Sequence, residues 1–131
     1  MQGQWKEAKL LDVQVMEMFK RLLGQEHPAA LTSMANLAST YTNQGRWKEA
    51  EVLEVQVMET KKRVLSHEHP DTLTSMGNLT STFCNQGQWK VAKELQSHGT
   101  HSMRTTLGED HPSAVVAIAD LASIRKNSDA L

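Results

Sequence analysis

Apolar residues recur along this chain in steps of three and four, the spacing that lays one apolar stripe along a helix. The first stretch, about 4–23, carries Trp5, Ala8, Leu11, Val15, Met18, Phe19 and Leu22. A second, 28–43, carries Leu31, Met34, Ala35, Leu37, Ala38 and Tyr41. The third, 46–65, repeats the first with Trp47, Ala50, Leu53, Val57, Met58 and Val64, and the fourth, 70–85, repeats the second with Leu73, Met76, Leu79 and Phe83. A fifth is expected over 88–107, although Ser97 to Ser102 interrupts its stripe and Gly99 stands where Val15 and Val57 precede it. Glycine in a helix interior costs about 1 kcal/mol against alanine, so this helix is expected to be the least stable of the inner ones. The sixth, 112–126, differs again: Val115, Val116, Ile118, Ala119, Leu121, Ala122 and Ile124 put apolar surface on more than one face. No run alternates in the two-residue period of a strand, so the chain reads as all-α.

Punctuation residues divide these stretches at a constant interval. Trp5, Trp47 and Trp89 fall 42 residues apart, as do Pro28, Pro70 and Pro112, and Gly3, Gly45 and Gly87. Proline is suited to a first helical turn, where its missing N–H would be unbonded anyway. Gly24 and the Asn43-Gln44-Gly45 turn supply helix stops. A fixed period of this length is the signature of stacked repeats. Copies 2–43 and 44–85 agree at 27 of 42 positions, whereas 86–127 agrees with the second copy at 12. The residues that survive in the third copy are mostly turn residues and apolar residues at helical spacing, so the copies share a fold rather than a reaction centre. The whole of 1–131 reads as a single repeat array.

Composition narrows the function. The 14 Lys+Arg and 15 Asp+Glu leave a formal charge of −1 with the signs interspersed, which offers neither a basic nucleic-acid footprint nor a polybasic lipid anchor. No nucleic-acid or membrane partner is expected. No apolar run approaches the roughly 20 residues of a membrane span, and the N-terminal residues lack the pattern of a signal peptide. Cys84 is the only cysteine, so neither a disulfide framework nor a cysteine metal cluster is available. A cytoplasmic location is expected.

No catalytic constellation emerges: nucleophile motif, phosphate-binding glycine loop and distinctive carboxylate pair are all missing. The His-Pro pairs, starting at His27, His69 and His111, recur once per period. Helices pack roughly 8–10 Å apart, so equivalent histidines of successive copies cannot meet around one metal at about 2 Å. His67/His69 and His98/His101 are closer, but no carboxylate or cysteine completes a site. No metal and no cofactor are expected. Trp5, Trp47 and Trp89 share a register with Ala8, Ala50 and Ala92, which favours core packing over ligand stacking.

The run from Asn36 to Ala50 resembles the centre of a tetratricopeptide repeat, with Leu37, Ala38, Tyr41, Gly45, Trp47 and Ala50 on signature positions. The usual repeat has 34 residues. The longer period and the His-Pro opening resemble the kinesin light chain type, and still more the near-identical arrays of fungal NACHT or NB-ARC receptor-like proteins. That resemblance implies a right-handed α-solenoid of antiparallel helix pairs with six helices. The chain starts on a second helix and ends on a first, so it reads as a segment of a longer array. Asp12, Glu54 and Gln96 depart from the family, which has an aromatic at that position.

In such arrays first helices line a concave groove. The resemblance implies that Asn36 and Asn78 project into it, with Asp120 on the third rung. Thr32 lies one turn before and Ser39, Thr40 and Asn43 one turn beyond, as do their counterparts Thr74, Ser81, Thr82 and Asn85, and the same face is expected for all of them. A carboxamide both donates and accepts, so a ladder of them can hold an extended peptide backbone without reading its sequence. Polar residues repeated on one face are equally what solvated helices inherit by duplication. The end helices suggest self-association, the tail residues Val116, Leu121 and Ile124 docking on the head residues Leu11, Val15 and Phe19 of another copy. Such head-to-tail contacts close rings or propagate filaments, and domain swapping is a second route to a homo-oligomer. The expected function is a non-enzymatic scaffold for a peptide or protein partner. The rival is a purely structural array within a larger signalling receptor.

Overall fold

A computed structural model describes residues 2–66 and 68–129, leaving aside the side chains of residues 2–6 and 8. Among the described residues there are six helices and no strand: α1 (Gln2–Leu23), α2 (Pro28–Asn43), α3 (Trp47–Val64), α4 (Pro70–Asn85), α5 (Trp89–Leu107) and α6 (Pro112–Asp129). Helix α5 is continuous through Gly99. The chain divides within α3 into two compact units, Met1–Thr60 and Lys61–Leu131.

Each first helix opens by the same device. Histidine Nδ1 accepts the backbone N–H two residues on: Ala29 to His27 at 3.0 Å, Asp71 to His69 at 3.1 Å, and Ser113 to His111 at 3.1 Å. An accepting Nδ1 requires the proton on Nε2. Proline follows in the first turn. The His-Pro pairs are therefore helix caps, each satisfying a donor that the helix itself leaves open. His67 lies outside the described residues, and with it the expected His67/His69 pair.

An Asn-Gln-Gly turn closes α2 and α4. Arg46 donates its N–H to Tyr41 O at 2.8 Å and Gly45 to Thr42 O at 3.0 Å; Gln88 and Gly87 repeat both bonds on Phe83 O and Cys84 O, at 2.9 and 3.0 Å. These paired bonds require a left-handed residue between them. Gly45 and Gly87 supply it at φ +74° and +75°. Arg46 then lies over the Tyr41 ring, 5.0 Å from its centroid, and pairs with Glu49. The α1–α2 and α5–α6 connections use Gly24 and Gly108 at φ +94° and +93°, whereas Ser66 takes φ +144° at the equivalent place.

In the first unit Met16 of α1, Leu31, Met34, Leu37 and Ala38 of α2, and Ala50, Leu53 and Val57 of α3 form one buried cluster, with Val13 and Tyr41 packed on it. The stripe expected to be buried on α1 is not the buried one. Leu11 and Val15 are 62% and 45% exposed, and Met18 and Leu22 are exposed too, whereas their counterparts Leu53 and Val57 on α3 are 8% and 4% exposed. Met16 and Val13 face α2 in their place. Trp5 and Ala8 are among the side chains outside the described set. Val64, also expected inside, is exposed.

In the second unit α5 packs against both α4 and α6. Leu73, Met76, Leu79 and Phe83 of α4 are buried, as are Ala92 of α5 and Ala114, Ala117, Leu121 and Ile124 of α6. The fully buried Ala92 and Ala114 let backbones approach closely. Thr72, equivalent to Ala30 and Ala114, is equally buried, and its hydroxyl has no hydrogen-bond partner among the described residues.

Asp12 and Gln96, two of the polar residues at the position where the resemblance implies an aromatic, tie neighbouring helices together. Asp12 Oδ2 accepts from Thr40 Oγ1 at 2.6 Å, joining α1 to α2. Gln96 Nε2 donates to Ala117 O at 3.1 Å, and Thr100 Oγ1 donates to the same carbonyl at 3.3 Å, joining α5 to α6. A hydrogen bond across the contact replaces the ring.

Candidate functional site

The sequence-predicted polar face is present on each first helix. In the first unit Thr32, Asn36, Ser39 and Asn43 are exposed on α2, at steps of three and four that align them on one side. In the second unit Thr74, Asn78, Ser81 and Asn85 are exposed in the same register on α4, and Asp120 is exposed on α6. Thr40 and Thr82, one position beyond Ser39 and Ser81, are buried and belong to the packed side.

A groove of about 720 Å³ lies in the second unit between α4 and α6, with α5 as its floor. Of the predicted residues Ser81, Asn85 and Asp120 line it, while Thr74 and Asn78 stand on α4 outside its walls. Its apolar part is built from Leu73, Met76, Met103, Val116 and Ile124. Ser123 and Asn127 continue the polar rim on α6, and Trp89 closes one edge. Trp89 and Trp47 are only partly buried, so these rings are not wholly enclosed in the core.

Two glycines open this groove. Gly77 and Gly99 both line it, and a β-carbon built at either meets nothing within 4 Å. Gly99 is a buried residue that nevertheless faces empty space. Ionisable lining residues are Cys84 and Asp120 alone; no lysine, arginine or histidine is among them. Burial raises the Cys84 thiol above its ordinary value, and the Asp120 carboxylate raises it further by opposing a thiolate. Both effects disfavour the thiolate, the form in which a cysteine is nucleophilic. Among the described residues no group of three or more His, Cys, Asp or Glu is placed to hold a metal ion.

The residues expected to associate divide into two sets. Leu11, Val15 and Val116 are exposed and Phe19 is partly so. Leu121 and Ile124 are buried in the second unit, where they serve this chain's own packing. The apolar surface that α6 does present is Val115, Val116 and Ile118.

The tetratricopeptide repeat family profile matches residues 1–29, 30–71 and 72–113. The chain is a tetratricopeptide repeat protein. Its repeats are of the kinesin light chain type: the kinesin light chain nearly identical TPR-like repeats of Podosopora anserina superpose with a TM-score of 0.85 at 32% identity, over 98% of this chain and 61% of that one. A single-substitution variant of those repeats gives the same TM-score and identity over 60% of its length. BtubC (BKLC) from P. vanneervenii shares the fold at a TM-score of 0.84 and 15% identity, over 97% of this chain and 51% of that one. This tetratricopeptide repeat chain thus spans about 60% of the first relatives' length. No functionally curated protein matches it. A repeat array of this family is a scaffold for protein–protein interaction, and among the described residues no helix is long and apolar enough to cross a membrane.

Sequence reasoning found the polar faces but missed the groove that the third copy builds. The signal was available in the periodic comparison. Gly99, Met103, Val116 and Ile124 replace Val57, Lys61, Thr74 and Thr82, and all four changes fall on the lining of one groove.

Proposed function

We propose that this chain is a non-enzymatic scaffold that presents its first-helix face to an extended segment of a partner protein. The observation that carries the reading is the groove between α4 and α6, with Ser81, Asn85 and Asp120 on its walls. Its volume falls in the range of sites that enclose small ligands or a few residues of peptide. The exposed carboxamides and hydroxyls of α2 and α4 offer donors and acceptors for a peptide backbone. Capture from a random octapeptide phage pool tests it. Peptides recovered on the full chain are expected to lose at least about fivefold in affinity on Ser81→Ala plus Asn85→Ala, with helical circular dichroism unchanged. Affinity indifferent to that double change would sink the groove reading.

Self-association is the second reading, favoured by the exposed stripe of Leu11, Val15, Met18 and Leu22. The same positions on α3, Leu53 and Val57, are covered by a first helix, so α1 carries the surface such a helix fits. A homo-oligomer joined head to tail, or by exchange of a repeat, would cover it. Sedimentation of the chain is expected to show assemblies that Val15→Glu disperses; a single monomeric species at high concentration refutes it. A purely structural array within a larger cytoplasmic receptor would show this second behaviour without the first.

A further inference from the structure

The groove between α4 and α6 differs from the equivalent positions one period earlier in space, polarity and charge. Val57 gives way to Gly99 and Ala35 to Gly77, which empties the floor and one wall. Thr74 and Thr82 give way to Val116 and Ile124, which makes the α6 wall apolar. Four further changes concern charge: Lys61 becomes Met103, removing a cation, Glu54 and Asp71 become Gln96 and Ser113, removing two anions, and Asn78 becomes Asp120, placing the one remaining lining carboxylate on α6. All of these positions, Gly77 in the second copy and the others in the third, line the groove. The result is an apolar notch bearing one carboxylate and no lining cation. Asp120 follows Val116 by one helical turn, so charge and apolar wall share a face of α6.

We infer that this notch selects its ligand: a peptide segment in which a bulky apolar side chain stands beside a lysine or arginine. The apolar side chain fills the space in front of Gly99, between Met76 and Met103, and the cation lies against Asp120. The inference rests on the groove reading above and names the sequence class that this one groove takes. An uncharged amide rung, as at Asn78, reads backbone only; a carboxylate rung discriminates between cationic and anionic neighbours.

The test uses the full chain labelled at its methionine methyls and its backbone amides, titrated by NMR. Met76 and Met103 report on the notch, and Met16 and Met34 of the first unit serve as internal controls. The probes are acetylated, amidated octapeptides of glycine and serine with a central leucine–lysine pair, the same peptide with glutamate for lysine, and the same with alanine for leucine. The leucine–lysine peptide is expected to move the Met76 and Met103 methyls and leave those of Met16 and Met34 in place. Asp120→Asn should weaken it about fivefold, the size of one partly solvated ion pair, and make it equal to the glutamate peptide. Gly99→Val, which restores the residue of the earlier copies, should abolish the Met76 and Met103 shifts while circular dichroism shows the helices intact. Equal binding of the lysine and glutamate peptides, or no movement at Met76 and Met103, overturns the inference. Peptides that move only the Ser81 and Asn85 amides overturn it while leaving the broader groove reading standing. A chain whose reporters no peptide moves overturns both.

Discussion

Gly99 is the position where one methyl group tests the most about this structure. It sits in the interior of α5, buried, with open groove rather than side chains in front of it. Gly99→Ala acts first on the backbone, since alanine gains about 1 kcal/mol over glycine in a helix interior. Clash does not offset this, because nothing beyond the adjacent residues and the helix's own backbone lies within 4 Å of the new β-carbon. That same distance keeps the packing gain to a fraction of the roughly 0.8 kcal/mol of a fully buried methylene. Net stabilisation of about 1–1.5 kcal/mol is expected, or a rise in melting temperature of roughly 3–6 °C for a chain of this size. Urea unfolding followed by circular dichroism at the helix band measures it. The slope against denaturant should be unchanged, because the surface exposed on unfolding barely differs. An unchanged or lowered midpoint would refute the reasoning: either α5 is not a continuous helix at residue 99, or the space in front of it is filled.

Other outcomes follow from the same comparison between copies. Thr72→Ala installs the residue of the first and third copies, removing a buried hydroxyl without a partner that costs about 1–3 kcal/mol and losing a methyl worth about 1 kcal/mol. The variant should be as stable as the parent or up to about 2 kcal/mol more stable, by urea unfolding; a clear loss would show that the hydroxyl is satisfied. Ser66→Gly should likewise stabilise by roughly 1 kcal/mol, since φ +144° is open to glycine and strained for serine; calorimetry would show it, and a fall in melting temperature would refute it. Cys84 titrates above the ordinary thiol value because of burial and then Asp120, so the folded chain holds this proton more tightly than the unfolded one. Its contribution to stability is full below the unfolded value and is lost as pH rises from there through the folded value. Asp120→Asn removes the repulsion, lowering the folded value, and should speed iodoacetamide alkylation at a fixed mildly alkaline pH; an unchanged rate would separate Asp120 from the thiol.

Helix positions, turns and the period were legible because they rest on local chemistry. The 3.6-residue periodicity, the proline openings and the glycine stops act within a few residues. Pro28 and Pro70 open α2 and α4, and Asn43 and Asn85 end them, where the pattern places them. The role of the capping histidines was hidden because a ring nitrogen accepting an N–H two residues on is a matter of side-chain rotamer, which residue spacing does not specify. Which apolar stripe is covered was hidden for a different reason. Leu11 and Leu53 carry the same residue at the same place in their copies, yet one is exposed and the other buried. Burial belongs to the pair of surfaces, and a single helix's sequence describes only one of them.

The groove shows the same division. By itself the sequence determined that polar residues recur on one face of each first helix and that the third copy departs from the others at Gly99 and Asp120. Only the tertiary structure decided that these departures converge. Residues 77, 99, 103, 116, 120 and 124 come from three helices, and they share one space because α5 packs against both α4 and α6. Repetition preserves the backbone that sets this packing, so substitutions distant in sequence and unremarkable singly add up in one place.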